Sequence, residues 1–288
     1  AACSQELPKD KFSKKQWQSK QHRRCKECIA DNREVKPVAA SLSSADGEGV
    51  LDEDLFKEPP PGDECPICML SLPFDEGETT YKSCCGKIVC NGCAYAVRTA
   101  GDERGLCPFC RTPAPTSNGE IIERLKKRAG GDDVIAMYSL GCKYDRGSYG
   151  LRQNHNKAIK LYLRAGKLGN IAGYNNIGVL YNQGRGVEKD ERKAKFYFEL
   201  AAMGGAVYAR HNLGCDEDDA GNKTRAMKHW MISAAAGLDE SLKEIRECFL
   251  KGIATKDEFE KALRAHKEAK DEMKSDQRNA AAEFFGKK

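Results

Sequence analysis

The sequence predicts a multi-module chain: a small metal-stabilised domain followed by an all-α solenoid of antiparallel helix pairs. Three observations carry this. Eleven of the 14 cysteines in the 288 residues precede position 111. They include the CxxC pairs Cys25/Cys28, Cys65/Cys68, Cys90/Cys93 and Cys107/Cys110. Beyond residue 117 small and aromatic residues recur at intervals of 32 to 37 positions, the mark of stacked helical hairpins.

Composition narrows the class. No run approaches the ~18 consecutive apolar residues of a membrane span, so no membrane partner is expected. The net charge of +5 mixes both signs along the chain. That favours solubility and does not by itself imply nucleic acid. The chain starts at Ala1 with no secretory apolar segment and no initiator methionine, so it is expected to be trimmed or incompletely represented. Without a secretory signal the thiols should stay reduced, in a cytoplasmic or nuclear protein. No dinucleotide-binding or Walker glycine loop appears, and no recognised catalytic motif places a carboxylate pair.

Residues 1–36 are basic and read as an N-terminal zinc module whose completeness the sequence leaves open. Cys25 and Cys28 supply two ligands and Cys3 a third. The fourth would stand one residue before Ala1. The segment "FSKKQW…RRCKEC" is similar to a LIM-like zinc module, in which Phe12 and Trp17 would form the small core. Lys14, Lys15, Arg23 and Arg24 could touch a phosphate backbone, although such a run is more often a solvated face. Residues 37–64 are acidic and rich in glycine and proline, with few apolar groups to bury, so they read as a flexible linker.

Residues 65–116 hold the dense cluster. Its thiols are Cys65, Cys68, Cys84, Cys85, Cys90, Cys93, Cys107 and Cys110. Two residues between cysteines let both sulfurs face one tetrahedral zinc, and eight thiolates suit two ions. Metal binding would supply the folding energy that so short a segment cannot obtain from an apolar core. Cys84 and Cys85 are adjacent. Either both reach one metal through a turn helped by Gly86, or one is a spectator and the second site has another ligand.

"CPIC", "CCGKIVCNGC" and "GLCPFCR" resemble a RING-type zinc finger, of the all-cysteine kind found in the ubiquitin ligase subunit of the CCR–NOT complex. The resemblance implies an interleaved pairing. Cys65, Cys68, Cys90 and Cys93 would hold one zinc, and Cys84, Cys85, Cys107 and Cys110 the other. It implies that Ile67 and Pro108 form part of a groove for a ubiquitin-conjugating enzyme. It also implies that Arg111 bridges ubiquitin and that enzyme, catalysis being positioning without a covalent intermediate. The groove aromatic of the family has only a displaced substitute here, Tyr95. Outside the resemblance, Ile67 would fill the small core, Pro108 would shape a zinc loop and Arg111 would be a surface arginine.

Residues 117–254 form the helical repeats. Gly141, Gly178 and Gly214 recur, as do Ala158, Ala194 and Ala226, and Tyr162, Phe198 and Trp230. Asp132, Asn170 and Asp190 are expected helix caps, with turns near 147–150, 184–186 and 216–221. "NNIGVLYNQGRGVEKDERKAKFYFELAAMGG" resembles the SEL-one-like repeat, a relative of the tetratricopeptide repeat. Cys142, Cys215 and Cys248 are expected to be packing residues. His155, His211, His229 and His266 are expected on helix surfaces or in the core. Residues 255–288 are expected to form a capping helix that opens on a Thr255/Glu258 capping box, with Phe259, Leu263 and His266 on its inner face.

The leading expectation is therefore a RING-type ubiquitin ligase whose solenoid recruits a protein substrate or large complex. The alternatives are a non-enzymatic scaffold and, behind it, a nucleic-acid-associated zinc protein.

Overall fold

Each hairpin of the repeat is built on one glycine–aromatic pair. In the computed structural model, which describes residues 52–57, 60, 62–100 and 105–286, the aromatic side chain of one helix lies over the recurrent glycine of its partner. A Cβ on Gly141 would stand 2.7 Å from Tyr162, on Gly178 2.6 Å from Phe198, and on Gly214 2.4 Å from Trp230. Real Cβ contacts are not that short, so the ring can be seated only where the side chain is hydrogen. Tyr162, Phe198 and Trp230 are all buried, at 0%, 1% and 2% exposure. The three positions aligned in sequence are therefore equivalent in space.

The solenoid runs α3 (Asn118–Gly130), α4 (Val134–Arg146), α5 (His155–Lys167), α6 (Ile171–Gln183), α7 (Glu191–Met203), α8 (Val207–Asp219), α9 (Lys223–Ala235) and α10 (Asp239–Leu250). Sequential helices pack on one another, and the tightest pairs are α4/α5, α6/α7 and α8/α9. Asn154, Asn170 and Asp190 cap α5, α6 and α7 through side-chain oxygens that accept the third helical amide. That satisfies donors the helix itself leaves open. Helices α4 and α6 end on Gly147 and Gly184, both in the left-handed conformation. The cap of α4 is Asp133. Asp132 sits at φ +60° and pairs instead with Arg164. The expected third turn begins later than the sequence suggested, because α8 stays helical to Asp219.

The C-terminal segment departs from a single capping helix. Helix α11 (Lys256–Glu272) begins with the Thr255/Glu258 capping box and packs on α9 and α10. Phe259 stacks on Phe249, and His266 pairs with Asp239. Leu263, expected on the inner face, is 41% exposed; Ala262 takes that place at 1%. The chain then turns at residues 273–275 into α12 (Asp276–Gly286), which packs on the cysteine-rich region.

That region consists of a two-stranded antiparallel hairpin, β1 (Thr79–Lys82) with β2 (Lys87–Cys90), followed by α2 (Asn91–Thr99). A short helix, α1 (Asp52–Leu55), lies inside the stretch read as a flexible linker, and its Leu55 is 1% exposed. Among the described residues no helix is long and apolar enough to cross a membrane. Cys3, Cys25, Cys28, Phe12, Trp17 and the basic patch lie outside the described residues, so the N-terminal module is not addressed by this structure.

Candidate metal centres

Two near-identical loops present the outer cysteine pairs. In the first, the Cys65 amide donates to Leu70 O and the Met69 amide to Cys65 O, each at 2.9 Å. In the second, the Cys107 amide donates to Thr112 O and the Arg111 amide to Cys107 O, also at 2.9 Å. Isolated bridges Glu64/Ser71 and Leu106/Pro113 close the two loops. Both place the residue after the second cysteine in the left-handed region, Met69 at φ 58° and Arg111 at φ 60°. Such a turn aims both thiols of a CPxC segment the same way.

The hairpin carries the remaining thiols. Cys84 and Cys85 lie in its turn, with Gly86 at φ 77°. Cys90 ends β2 and serves as the cap of α2, its sulfur accepting the Cys93 amide at 3.4 Å. The result is two interleaved clusters, Cys65/Cys68/Cys90/Cys93 and Cys84/Cys85/Cys107/Cys110, the sulfurs of each within 4.8 Å of one another. The cysteines are free thiols. A tetrahedral ZnS4 centre with bonds of ~2.3 Å has sulfur–sulfur edges of about 3.8 Å. Cys68 and Cys90 stand 3.8 Å apart, and Cys85 and Cys107 stand 3.7 Å apart. Adjacent Cys84 and Cys85 fall in the same cluster, so no further ligand is needed to complete four donors.

Electrostatics sharpens the point. Burial opposes ionisation of Cys65, but amides of Cys68, Cys90 and Ile67 outweigh it and lower the thiol to about 6. Cys93 is pushed well up by burial and by its neighbours Cys90 and Cys68. Cys110 is lowered to about 6, Thr112 and Cys84 outweighing burial, while burial and the Cys110 and Cys107 thiols raise Cys84 strongly. Four thiols this close cannot all ionise unless a cation offsets them.

Among the ties that fasten this region to the solenoid, one lies at each cluster, and neither was visible as a motif. At the second cluster, Tyr81 donates to Asp133 Oδ2 at 2.9 Å, and Arg128 Nε donates to the same oxygen at 2.7 Å. At the first cluster, α12 lies along α2. Arg278 Nη2 reaches Ser71 O at 2.8 Å and Cys68 Sγ at 4.0 Å, and Cys93 Sγ approaches Gln277 Oε1 at 3.9 Å. Tyr95 meets Phe284 at 5.2 Å between ring centroids. Gly92 permits the contact: a Cβ there would stand 2.7 Å from the Arg278 amide nitrogen. Arg278 was not singled out in the sequence, because nothing in "SDQRNAAAEFF" marks a cation that lies beside the thiols.

Ile67 is 39% exposed, Arg111 is exposed and Pro108 is half-buried. Tyr95 faces α12. The lone thiols behave as packing residues, Cys142 and Cys248 each being 6% exposed, with Cys215 half-buried. A cleft of about 470 Å³ opens between the cysteine-rich region and α8, α10, α11 and α12, with Asp75, Asp239 and Lys270 among its walls.

Comparison with known proteins bears on the solenoid. The family described as Sel1 repeat matches residues 134–170 and 171–205. The "ERAD-associated E3 ubiquitin-protein ligase component HRD3B" of Arabidopsis thaliana is 34% identical over 96 residues, 33% of this chain and 15% of that protein. "Protein sel-1 homolog 2" of Mus musculus is 30% identical over 95 residues, 33% of this chain and 14% of that protein. This chain thus spans about a seventh of the length of these curated relatives. Among solved structures, a Sel1 repeat protein from Oxalobacter formigenes aligns with a TM-score of 0.47 at 25% identity, covering 62% of this chain and 70% of that one. The protective antigen c5321 of uropathogenic Escherichia coli aligns at 0.43 and 20%, covering 66% and 42%. Residues 134–205 of the helical array, α4 to α7, are thus similar to the Sel1 repeat.

Proposed function

We propose that the chain is a protein-interaction scaffold in which a two-zinc module is held in fixed relation to a Sel1-repeat solenoid. The observation that carries this is the pair of ties at Tyr81/Asp133/Arg128 and at α2/α12. They couple each four-thiol cluster to a different end of the helical array. Zinc would be held by Cys65, Cys68, Cys90 and Cys93, and by Cys84, Cys85, Cys107 and Cys110. It would supply folding energy to a module whose apolar cluster holds Cys65, Val89, Cys90 and Cys93 as its buried members. Arg278 would offset part of the charge of the first tetrathiolate, as outer-shell groups of metal sites do. The test is cross-linking mass spectrometry in cells. A scaffold should give cross-links from both the module and the solenoid to the same partner, and Cys65→Ser should remove the module's share.

A second, narrower reading is that the module recruits a ubiquitin-conjugating enzyme and acts as a RING-type ligase. The exposure of Ile67 and Arg111 on the two CPxC loops supports it, as does the ligase-component name of the Arabidopsis relative. Ubiquitin discharge from a panel of charged conjugating enzymes separates the two. The scaffold leaves the rate unchanged. A ligase accelerates it, and Arg111→Ala then slows discharge about tenfold, or ~1.4 kcal/mol of transition-state stabilisation, with zinc content unchanged. Ile67→Ala should weaken enzyme binding itself.

A further inference from the structure

The segment Asp52–Lys57, "DEDLFK", does not behave as a linker. Leu55 is 1% exposed, and α1 packs against α7. The Phe56 ring meets the His229 ring at 4.7 Å between centroids. Three cations surround it: Arg210 at 5.9 Å, with Arg225 and Lys228 each at 5.5 Å. Asp52 pairs with Arg225. Helix α8 packs against both α7 and α9, so the segment lies across three successive helices. An acidic turn followed by two apolar anchors is seated on a cationic face, its phenylalanine ring against His229.

The seat is incompletely filled. Arg210 is 2% exposed, and its Nε, Nη1 and Nη2 have no hydrogen-bond partner among the described residues. Both ring nitrogens of the fully buried His229 are also unpartnered among the described residues. Glu217, a buried carboxylate near His229, is already held by Lys195, Arg225 and Asn222. A buried guanidinium without an acceptor is a strong reason for a ligand that carries one.

We propose that the face formed by α7, α8 and α9 is a docking site for a partner protein's acidic segment bearing adjacent leucine and phenylalanine. Residues 52–57 occupy it in cis until that segment displaces them. The internal segment holds the face because its tether gives it an effective concentration of about a millimolar. It is displaceable because, among the described residues, its one ion pair joins Arg225 to an Asp52 side chain that is 60% exposed. A second copy of the chain would bring the same segment and leave Arg210 equally unpaired, with no advantage over the tethered one. A partner segment with one further carboxylate toward Arg210 has that advantage. The proposal rests on the solenoid being a protein-binding module and is independent of zinc and of ubiquitin.

The test uses the full chain and a fluorescent peptide of residues 48–60 as probe, read by anisotropy. The variant carrying Leu55→Ser and Phe56→Ser should bind the peptide at least tenfold more tightly than the unmodified chain. Adding Arg225→Glu to that variant should abolish the gain. On the unmodified chain, excess peptide should raise amide hydrogen exchange at residues 52–57, a readout that needs no variant. Equal binding by the opened and unmodified chains, or no change in exchange, would overturn the proposal. So would a dimer of the unmodified chain that Phe56→Ser dissociates, which would assign the face to a second copy. Because neither metal nor conjugating enzyme enters the readout, its failure is distinct from failure of the scaffold reading.

Discussion

Replacing Trp230 and Gly214 together tests how the repeat is built. Trp230 is 2% exposed and packs with Ala226, Ile245, Cys248 and Ala262. Truncation to alanine should cost about 3–5 kcal/mol, the loss of transfer energy plus a cavity that the helices fill only in part. Gly214→Ala alone sets two effects against each other. Alanine gains about 1 kcal/mol of helix propensity over glycine. Its Cβ would, however, stand 2.4 Å from Trp230 Nε1 and 2.5 Å from Cδ1. Overpacking of that kind costs about 1–3 kcal/mol. The net effect is a destabilisation of up to about 2 kcal/mol. In the Trp230→Ala background the obstructing ring is gone, so Gly214→Ala should stabilise by about 1 kcal/mol. The coupling energy of the cycle is therefore about 1–3 kcal/mol, with a reversal of sign. Urea unfolding followed by far-UV circular dichroism gives all four stabilities. If Gly214→Ala shifts stability by the same amount in both backgrounds, the glycine does not seat the aromatic. If Trp230→Ala costs under about 1 kcal/mol, the ring is not a core anchor.

Gly92→Ala should release α12, because its Cβ would meet the backbone of Gln277 and Arg278. Hydrogen exchange should rise in residues 276–285 and stay unchanged in 134–250; unchanged protection of α12 would remove that tie from the account. Acid should weaken the solenoid through His229, which burial and the Arg210 and Arg225 cations lower from 6.5 to about 4. The unfolded chain takes up that proton first. The neutral ring thus contributes stability fully present above pH 6.5 and lost as pH falls toward 4, on the order of 3 kcal/mol. Asp216, raised to about 6 by burial, acts in the opposite sense as pH falls. The difference between the unmodified chain and His229→Gln isolates the histidine, and parallel pH profiles would show that it contributes nothing.

Much of the solenoid was legible because its pattern is redundant. Three glycines, three alanines and three aromatics in register leave one hairpin geometry, and side-chain caps such as Asn170 and Asp190 mark where helices start. The membership of the two thiol clusters was legible through family resemblance, since spacing alone left the adjacent Cys84 and Cys85 open. What sequence did not reveal depends on distant pairings. Arg278 reaches Cys68 across 210 positions, and Tyr81 reaches Asp133 across 52. No local periodicity encodes either. The stretch that holds "DEDLFK" offers few apolar groups to bury, yet Leu55 is buried and Phe56 meets His229. The break between α11 and α12 was hidden because "MKSDQ" carries neither proline nor glycine.

The claim on which the scaffold reading depends is that the two four-thiol clusters are structural zinc centres. Native mass spectrometry of the full chain measures it directly, comparing the unmodified protein with Cys65→Ser, with Cys107→Ser and with the variant carrying both. Each single substitution should lower the bound zinc by one ion and the pair by two, whatever the N-terminal module holds, with far-UV circular dichroism of the solenoid helices retained. Equal zinc content in the unmodified and doubly substituted chains would contradict the assignment.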